Sequence, residues 1–287
     1  MNQQSTELAD SLSAGLWVVA TPIGNLDDIT SRAVAVLGAV DRVAAEDTRV
    51  SAQLLAHFGI RKPLVALHDH NEQKAVAGLV HAMQQGERIA LISDAGTPLI
   101  SDPGYRLVRE TQNAGLPVIP APGPSALVTA LSVSGIATDR FQFEGFLPAK
   151  AGARRQRLQQ LADYPHTLVF YESVHRIEAT LKDMALHFGS EREVCFCREL
   201  TKRFETIRRD TLDVLQAWVA GDADQKRGEI VLVVAGRELE QQKEIPKAAR
   251  DLFARLRQEL PPSRAARIVA DTFHCSRRDL YQQGEDQ

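Results

Sequence analysis

The sequence predicts an α/β protein of two domains with a small helical extension at its C-terminal end. Three observations carry that reading. Short β-branched runs alternate with helical patterns from residue 16 onward, the signature of a largely parallel sheet. A stiff joint, "PAPGPSA" at 120–126, then interrupts the series, and a second alternation follows it. Past residue 245 the strand pattern stops and only helical spacing remains.

In the first series, "LWVVA" (16–20), "DRVAAE" (41–46), "PLVAL" (63–67), "RIALIS" (88–93) and "PVIPA" (117–121) read as strands. Between them, 27–38, 48–58, 71–86 and a segment reaching Asn113 read as helices, with Gly59 and Gly86 where C-terminal caps belong. A helix over 125–135 opens the second half. Its strands are "FQFEGFL" (141–147), "HTLVFYE" (166–172), "EVCFCREL" (193–200), "RFETIRR" (203–209) and "EIVLVV" (229–234). Their tighter spacing predicts a mixed sheet. In the last segment a helix ends near Leu260, Ser263 is placed to cap a second and Ser276 a third, a spacing that resembles a helix-turn-helix. A helical lid fits the same pattern. The expected boundaries are a disordered N-terminus over 1–14, domains over 15–122 and 123–240, and the extension over 245–287.

Composition narrows the function. The first fourteen residues hold no positive charge and no apolar block, so no secretion or transit signal is expected. No apolar run approaches the ~18–20 residues that span a bilayer, and a cytoplasmic location is expected. The three cysteines are expected to be reduced. Cys195 and Cys197 alternate on one strand face, with too few neighbouring ligands for a metal; no metal site is predicted. The formal net charge of −3 excludes a globally basic nucleic-acid binder. Between Lys247 and Tyr281, however, eight Lys and Arg face four acids, which points to a polyanionic partner at that end.

The dinucleotide fingerprint G-x-G-x-x-G, the P-loop, the G-x-S-x-G elbow and the H-E-x-x-H zinc helix are all absent. Instead, three small-residue loops each follow an apolar strand: "TPIGN" (21–25), "SDAGTP" (93–98) and "PAPGPSA". In a parallel sheet such loops meet at the carboxyl edge, where ligands bind. Gly24, Gly96 and Gly123 let a ligand approach bare backbone. The loops carry no Lys or Arg, which disfavours a polyphosphate, and Asp94 disfavours it further.

The segments "WVVATPIGNLDDIT", "AAEDTRVS", "LHDHNE", "SDAGTPLISDPG", "APGPSA", "FEGFLP", "FYESVHRI" and "CRELTKRFE" resemble the tetrapyrrole methylase superfamily, in particular its branch acting on small-subunit ribosomal RNA. The resemblance runs from about Leu16 to Gly236 and into the tail. It implies a two-domain tetrapyrrole-methylase-like fold, a homodimer, and S-adenosylmethionine between the domains. It also implies methyl transfer to the ribose 2′-hydroxyl of a cytidine in the decoding region of 16S rRNA, free or within the 30S subunit. By position it puts Asp94, Ala95, Gly96, Thr97 and Leu99 on one side of the cofactor. Ser125 and Ala126 would lie at the junction, Phe170 and Tyr171 on the far side, and Pro22 and Gly24 beneath the methyl group.

Glu46 and Asp47, with Arg49 beside them, end a strand and are the candidates for base chemistry; a capped helix and a local ion pair explain the same residues. Candidates for contact with the substrate are His68, His70, Glu172, His175, Arg176, Glu199 and Lys202. Each equally suits a surface loop or structural pair. Arg154, Arg155 and Arg157 follow Lys150 with no acid between them, which suits a phosphate backbone or a solvated face. Two other functions fit parts of the pattern: a tetrapyrrole-type small-molecule methyltransferase, and a cofactor-free regulator using the terminal helices.

Overall fold

A computed structural model describes residues 12–68, 72–237, 246–273, 275, 277 and 280. The chain divides into two compact units, Met1–Gly236 and Arg237–Gln287. His70 and the expected cap Ser276 lie outside the described residues.

The first unit holds two sheets. Strands β1 (Gly15–Val19), β2 (Arg42–Ala45), β3 (Leu64–Ala66), β4 (Arg88–Ile92) and β5 (Val118–Ala121) form a parallel sheet in the order β3-β2-β4-β1-β5. Both faces are covered, so the strands are apolar on both sides. Trp17, Val43 and Ala90 pack with α1 (Ser31–Ala39) and α2 (Thr48–His57). Leu16, Ala44 and Leu91 pack with α3 (Glu72–Gln84) and α4 (Tyr105–Asn113).

The helix expected over 27–38 is two elements, a 3-10 turn at Leu26–Asp28 and then α1. Two competing caps divide it. The Asn25 side chain accepts from the Asp27 N–H, and Thr30 Oγ1 accepts from the Ala33 N–H, each at 3.1 Å.

The second sheet is mixed. Its strands are β6 (Phe141–Phe146), β7 (Thr167–Ser173), β8 (Glu193–Arg198), β9 (Thr206–Thr211) and β10 (Glu229–Val234), ordered β6-β7-β10-β8-β9. Only the β6–β7 pair is parallel. Strand β9 begins later than its apolar pattern suggests, because the Glu205 carboxylate accepts from the Thr201 N–H at 2.6 Å and closes a turn first. One face packs on α6 (Ala151–Leu161), α7 (Ile177–Phe188) and α8 (Leu212–Gly221).

Helix α5 (Ala126–Val133) covers the other face, with Leu127, Ala130 and Leu131 against Val169, Cys195, Cys197, Val231 and Val233. Ile23 and Ile100, from loops of the first sheet, join the same cluster. The joint after β5 and the loops of the first sheet thus make one apolar layer with the second sheet. The Cys195 and Cys197 thiols lie 3.7 Å apart, buried in that layer.

In the second unit, α9 (Lys247–Glu259) and α10 (Pro262–Phe273) bury Ala249, Phe253, Ala265, Ala266 and Val269 together. Helix α10 starts at Pro262, one residue before the expected cap Ser263. Proline suits the first helical position, where its missing N–H has no partner to lose.

Candidate functional site

The three glycine loops follow β4, β1 and β5, which are neighbours in the sheet, so they meet at its carboxyl edge. They are stitched together through backbone. The Thr21 N–H donates to the Gly96 carbonyl at 2.8 Å, and the Gly96 N–H donates back to the Thr21 carbonyl at 3.1 Å. Thr97 Oγ1 donates to the Pro124 carbonyl at 2.9 Å. A Cβ at Gly123 would lie 3.0 Å from Cβ of Ala20.

The loop after β4 is held in unusual geometry. Gly96, Leu99 and Ser101 all have positive φ, which is uncommon for Leu and Ser and gathers at sites rather than in plain turns. Opposite Ser101, strand β6 has a register shift at Gly145; a Cβ there would lie 3.0 Å from the Ser101 hydroxyl oxygen. The second sheet is shaped to receive the loop.

A cleft of about 470 Å³ opens between the loops and the second sheet. Asp94, Ala95, Gly96, Thr97, Ser125, Ala126 and Tyr171 line it, and so do Glu46, Glu172 and His175. Pro22, Gly24 and Lys202 instead line an adjoining cleft of about 450 Å³, with Ile23, Asp94, Ala95 and Glu229 common to both.

Two expected cofactor residues send their side chains elsewhere. Phe170 is fully buried among the helices behind the second sheet, because strand alternation puts it opposite Tyr171. Leu99 packs into the layer beneath the first sheet.

The charged candidates separate in the same way. Asp47 caps α2: its carboxylate accepts from the Arg49 N–H at 2.8 Å and from the Arg49 guanidinium at 2.6 Å. That guanidinium, with the backbone bond, lowers the Asp47 carboxyl to about 2. The Asp47 N–H in turn donates to Asp94 Oδ1 at 3.1 Å and so orients the Asp94 side chain at the cleft wall.

Glu172 is buried and accepts from Arg176, from Thr180 and from the Ser173 N–H. Arg176 also donates to the Leu147 carbonyl and braces the cleft's far wall. His68 lines neither cleft.

Arg154, Arg155 and Arg157 are each engaged by an acid of the fold, with Arg154 buried while Arg155 and Arg157 still reach solvent. Arg154 is buried and paired with Asp183 at 2.7 Å, Arg155 holds the other Asp183 oxygen at 2.8 Å, and Arg157 grips Glu144. Their periodicity on α6 turns them onto acids of α7 and β6. Sequence spacing alone does not reveal those partners.

Asp102 is the main cleft residue that the sequence reading passed over. Burial raises its carboxyl above the ordinary range and the negative Asp94 adds to this, while a hydrogen bond from Ser93 opposes them. Its signal was the second Asp of "SDAGTPLISDPG". Phe146, whose signal was the segment "FEGFLP", and Glu229, which had none, are further wall residues. Phe146 and Phe143 meet the Tyr171 ring edge-on, at 5.7 and 4.9 Å.

This pairing of a parallel and a mixed sheet around a loop-built cleft defines a class. A family profile described as Tetrapyrrole (Corrin/Porphyrin) Methylases matches residues 15–216, and one described as RsmI C-terminal HTH domain matches residues 243–286. A solved structure of uroporphyrin-III C-methyl transferase from Thermus thermophilus, complexed with S-adenyl homocysteine, aligns with a TM-score of 0.54 at 19% identity, over 77% of this chain and 97% of that one. At that identity the likeness concerns the fold.

Ribosomal RNA small subunit methyltransferase I of Pasteurella multocida (strain Pm70) is 52% identical over 275 residues, 96% of this chain and 98% of the relative. The protein of the same name in Haemophilus influenzae (strain ATCC 51907 / DSM 11121 / KW20 / Rd) is 51% identical over 95% of this chain and 97% of the relative. The chain belongs to the ribosomal RNA small subunit methyltransferase I family, within the tetrapyrrole methylases.

Proposed function

We propose that this protein transfers a methyl group from S-adenosylmethionine to the ribose 2′-hydroxyl of a cytidine in the decoding region of 16S rRNA, acting in the cytoplasm as a homodimer on the free RNA or the 30S subunit. The observation that carries the reading is the loop-built cleft in a chain whose full-length relatives are named for small-subunit ribosomal RNA. The cleft fits the cofactor on its own terms. Its volume suits a small molecule. Glu46, Asp94, Asp102, Glu172 and Glu229 line it with no Lys or Arg, a balance that favours a cationic sulfonium and ammonium over a polyphosphate.

S-adenosylmethionine supplies an activated methyl group with an excellent leaving group. The protein's task is then alignment, which can supply roughly 7–11 kcal/mol. Gly96 and Ala95 would hold the cofactor through main chain, Ser125 and Ala126 would hold it at the joint, and Tyr171 would close the apolar side. Removing the 2′-hydroxyl proton would add about 10²–10⁴-fold. Asp47, held by Arg49, is too weak a base for that; Glu46, at the cleft wall, is assigned the proton.

The second unit supports an RNA substrate over a tetrapyrrole. Lys247, Arg250, Arg255, Arg257, Arg264, Arg267 and Arg277 are all exposed, while Ala249, Phe253, Ala265, Ala266 and Val269 are buried between the helices. Exposed Val128, Val133, Phe204 and Ile207 on the first unit supply apolar surface for a second copy.

The test is transfer of labelled methyl to unmethylated 30S subunits and to free 16S rRNA, followed by alkaline hydrolysis. One alkali-resistant labelled dinucleotide is expected. Label on neither substrate, or label on a base, overturns the proposal.

A further inference from the structure

We propose that the acceptor nucleotide seats in the second cleft, between α2 and Lys202, as a single ribonucleotide drawn out of its stack. The inference rests on the methyl-transfer reading above and assigns the other half of that site.

Contiguity selects this cleft. Reacting atoms must approach to about 3–3.5 Å, so the acceptor must occupy space that opens onto the donor's. The second cleft shares Ile23, Asp94, Ala95 and Glu229 with the first. A larger cleft between α3 and α4, of about 1040 Å³, shares only Asp102 with it.

The lining is suited to a nucleoside. Val50, Gln53, Leu54 and His57 recur at i, i+3, i+4 and i+7, so they form one stripe of α2. Ser51 and Leu55, on the opposite side, are buried in the protein. The stripe is left open although Val50 is 43% exposed and apolar. It presents aliphatic surface for a base face, with an amide and an imidazole for polar edges. Leu26 lines the same cleft. About 450 Å³ admits one nucleoside unit, which matches the way enzymes acting on nucleotides extrude their target.

Lys202 lines this cleft, and the fold holds its ammonium there. Its Nζ donates to Glu199 at 2.8 Å and to Glu229 at 3.0 Å. Burial pulls the Lys202 ammonium down, but those two bonds outweigh it and keep it charged. The turn that carries it is strained, with positive φ at both Glu199 and Thr201. Gly228 has no side chain where a Cβ would overlap the Glu199 carboxylate. Both carboxylates neutralise the ammonium, so beside the open aliphatic stripe it offers its remaining N–H to a ribose or base edge rather than a net charge to a phosphate.

The experiment compares wild type with Val50→Trp, which fills the stripe at an exposed helix position. S-adenosylhomocysteine affinity is measured by calorimetry, and KM and kcat are measured with unmethylated 30S subunits. The expected result is unchanged S-adenosylhomocysteine affinity with kcat/KM reduced at least about tenfold. Should Val50→Trp fold poorly, the double variant Gln53→Ala/His57→Ala, on exposed polar positions, should raise KM severalfold with an unchanged melting temperature. Transfer at wild-type kcat/KM, or loss of S-adenosylhomocysteine binding by a folded variant, overturns the seat alone. Absence of transfer by wild type overturns the methylation reading and the seat with it.

Discussion

Lys202 lies across Gly24: a Cβ built at Gly24 would overlap the Cγ of Lys202, lie 2.9 Å from its Cε and come within 3.1 Å of the Leu200 carbonyl oxygen. A turn of the second sheet thus rests on the first glycine loop, and the absence of one methyl group permits it. Gly24→Ala should therefore destabilise the protein by about 1–3 kcal/mol, because the backbone oxygen blocks the easy escape. The cost should shrink in a Lys202→Ala background, where the overlap is gone. Thermal melts of the four proteins of that cycle check it; an unchanged cost would place the strain elsewhere.

Gly96 has φ +83°, and a Cβ there would lie 3.2 Å from Ile23 Cγ2. Gly96→Arg should reduce S-adenosylmethionine affinity at least about tenfold, a loss of roughly 1.4 kcal/mol, by filling the cleft floor. Gly96→Ala carries the same left-handed strain, about 1–2 kcal/mol, with little added bulk. Calorimetry on both separates the two effects: a loss seen only with Arg marks filling, and an equal loss marks the loop's conformation.

Asp102 makes stability depend on pH in a definite direction. Burial holds its folded carboxyl above the unfolded value. At acid pH both states are protonated and there is no cost. As pH rises through the ordinary carboxylate range the unfolded chain releases its proton first, so folding loses stability until the folded value is passed. Asp102→Asn removes that loss. Its melting temperature should exceed the wild type's at pH 7, by about 2–4 °C per ~1 kcal/mol relieved, and the excess should fade towards pH 4. Melts across that interval check the sign.

Arg154 should matter for folding and not for RNA. Its side chain is 6% exposed and that of Asp183 is 3% exposed. Burial pushes the Asp183 carboxyl up, but bonds from Arg155 and Arg154 outweigh it and hold it below the usual range. Its stabilising share is therefore present above the unfolded carboxylate value and lost as pH falls through the folded one. Arg154→Ala should cost about 3–5 kcal/mol by leaving a buried carboxylate short of a partner. Filter binding of 30S subunits by the folded fraction should be unchanged.

The sequence by itself determined the two alternating series, the helical tail and the meeting of three glycine loops on one sheet edge. Those features are local: strand and helix periods, proline joints and glycine turns act over a few residues, and parallel strand order then brings the loops together. Tertiary structure decided which charges are free to act. Arg154, Arg155 and Arg157 look alike in sequence, yet pairing with Asp183 buries Arg154, while Arg155 and Arg157 are paired with Asp183 and Glu144 and still reach solvent. Phe170 and Tyr171 are neighbours in sequence, yet only Tyr171 reaches the cleft, because a strand sends alternate side chains to opposite faces. Asp102 is one more loop carboxylate until the fold buries it beside Asp94 and changes its chemistry. Partners distant in sequence set desolvation and pairing, and no local pattern encodes them.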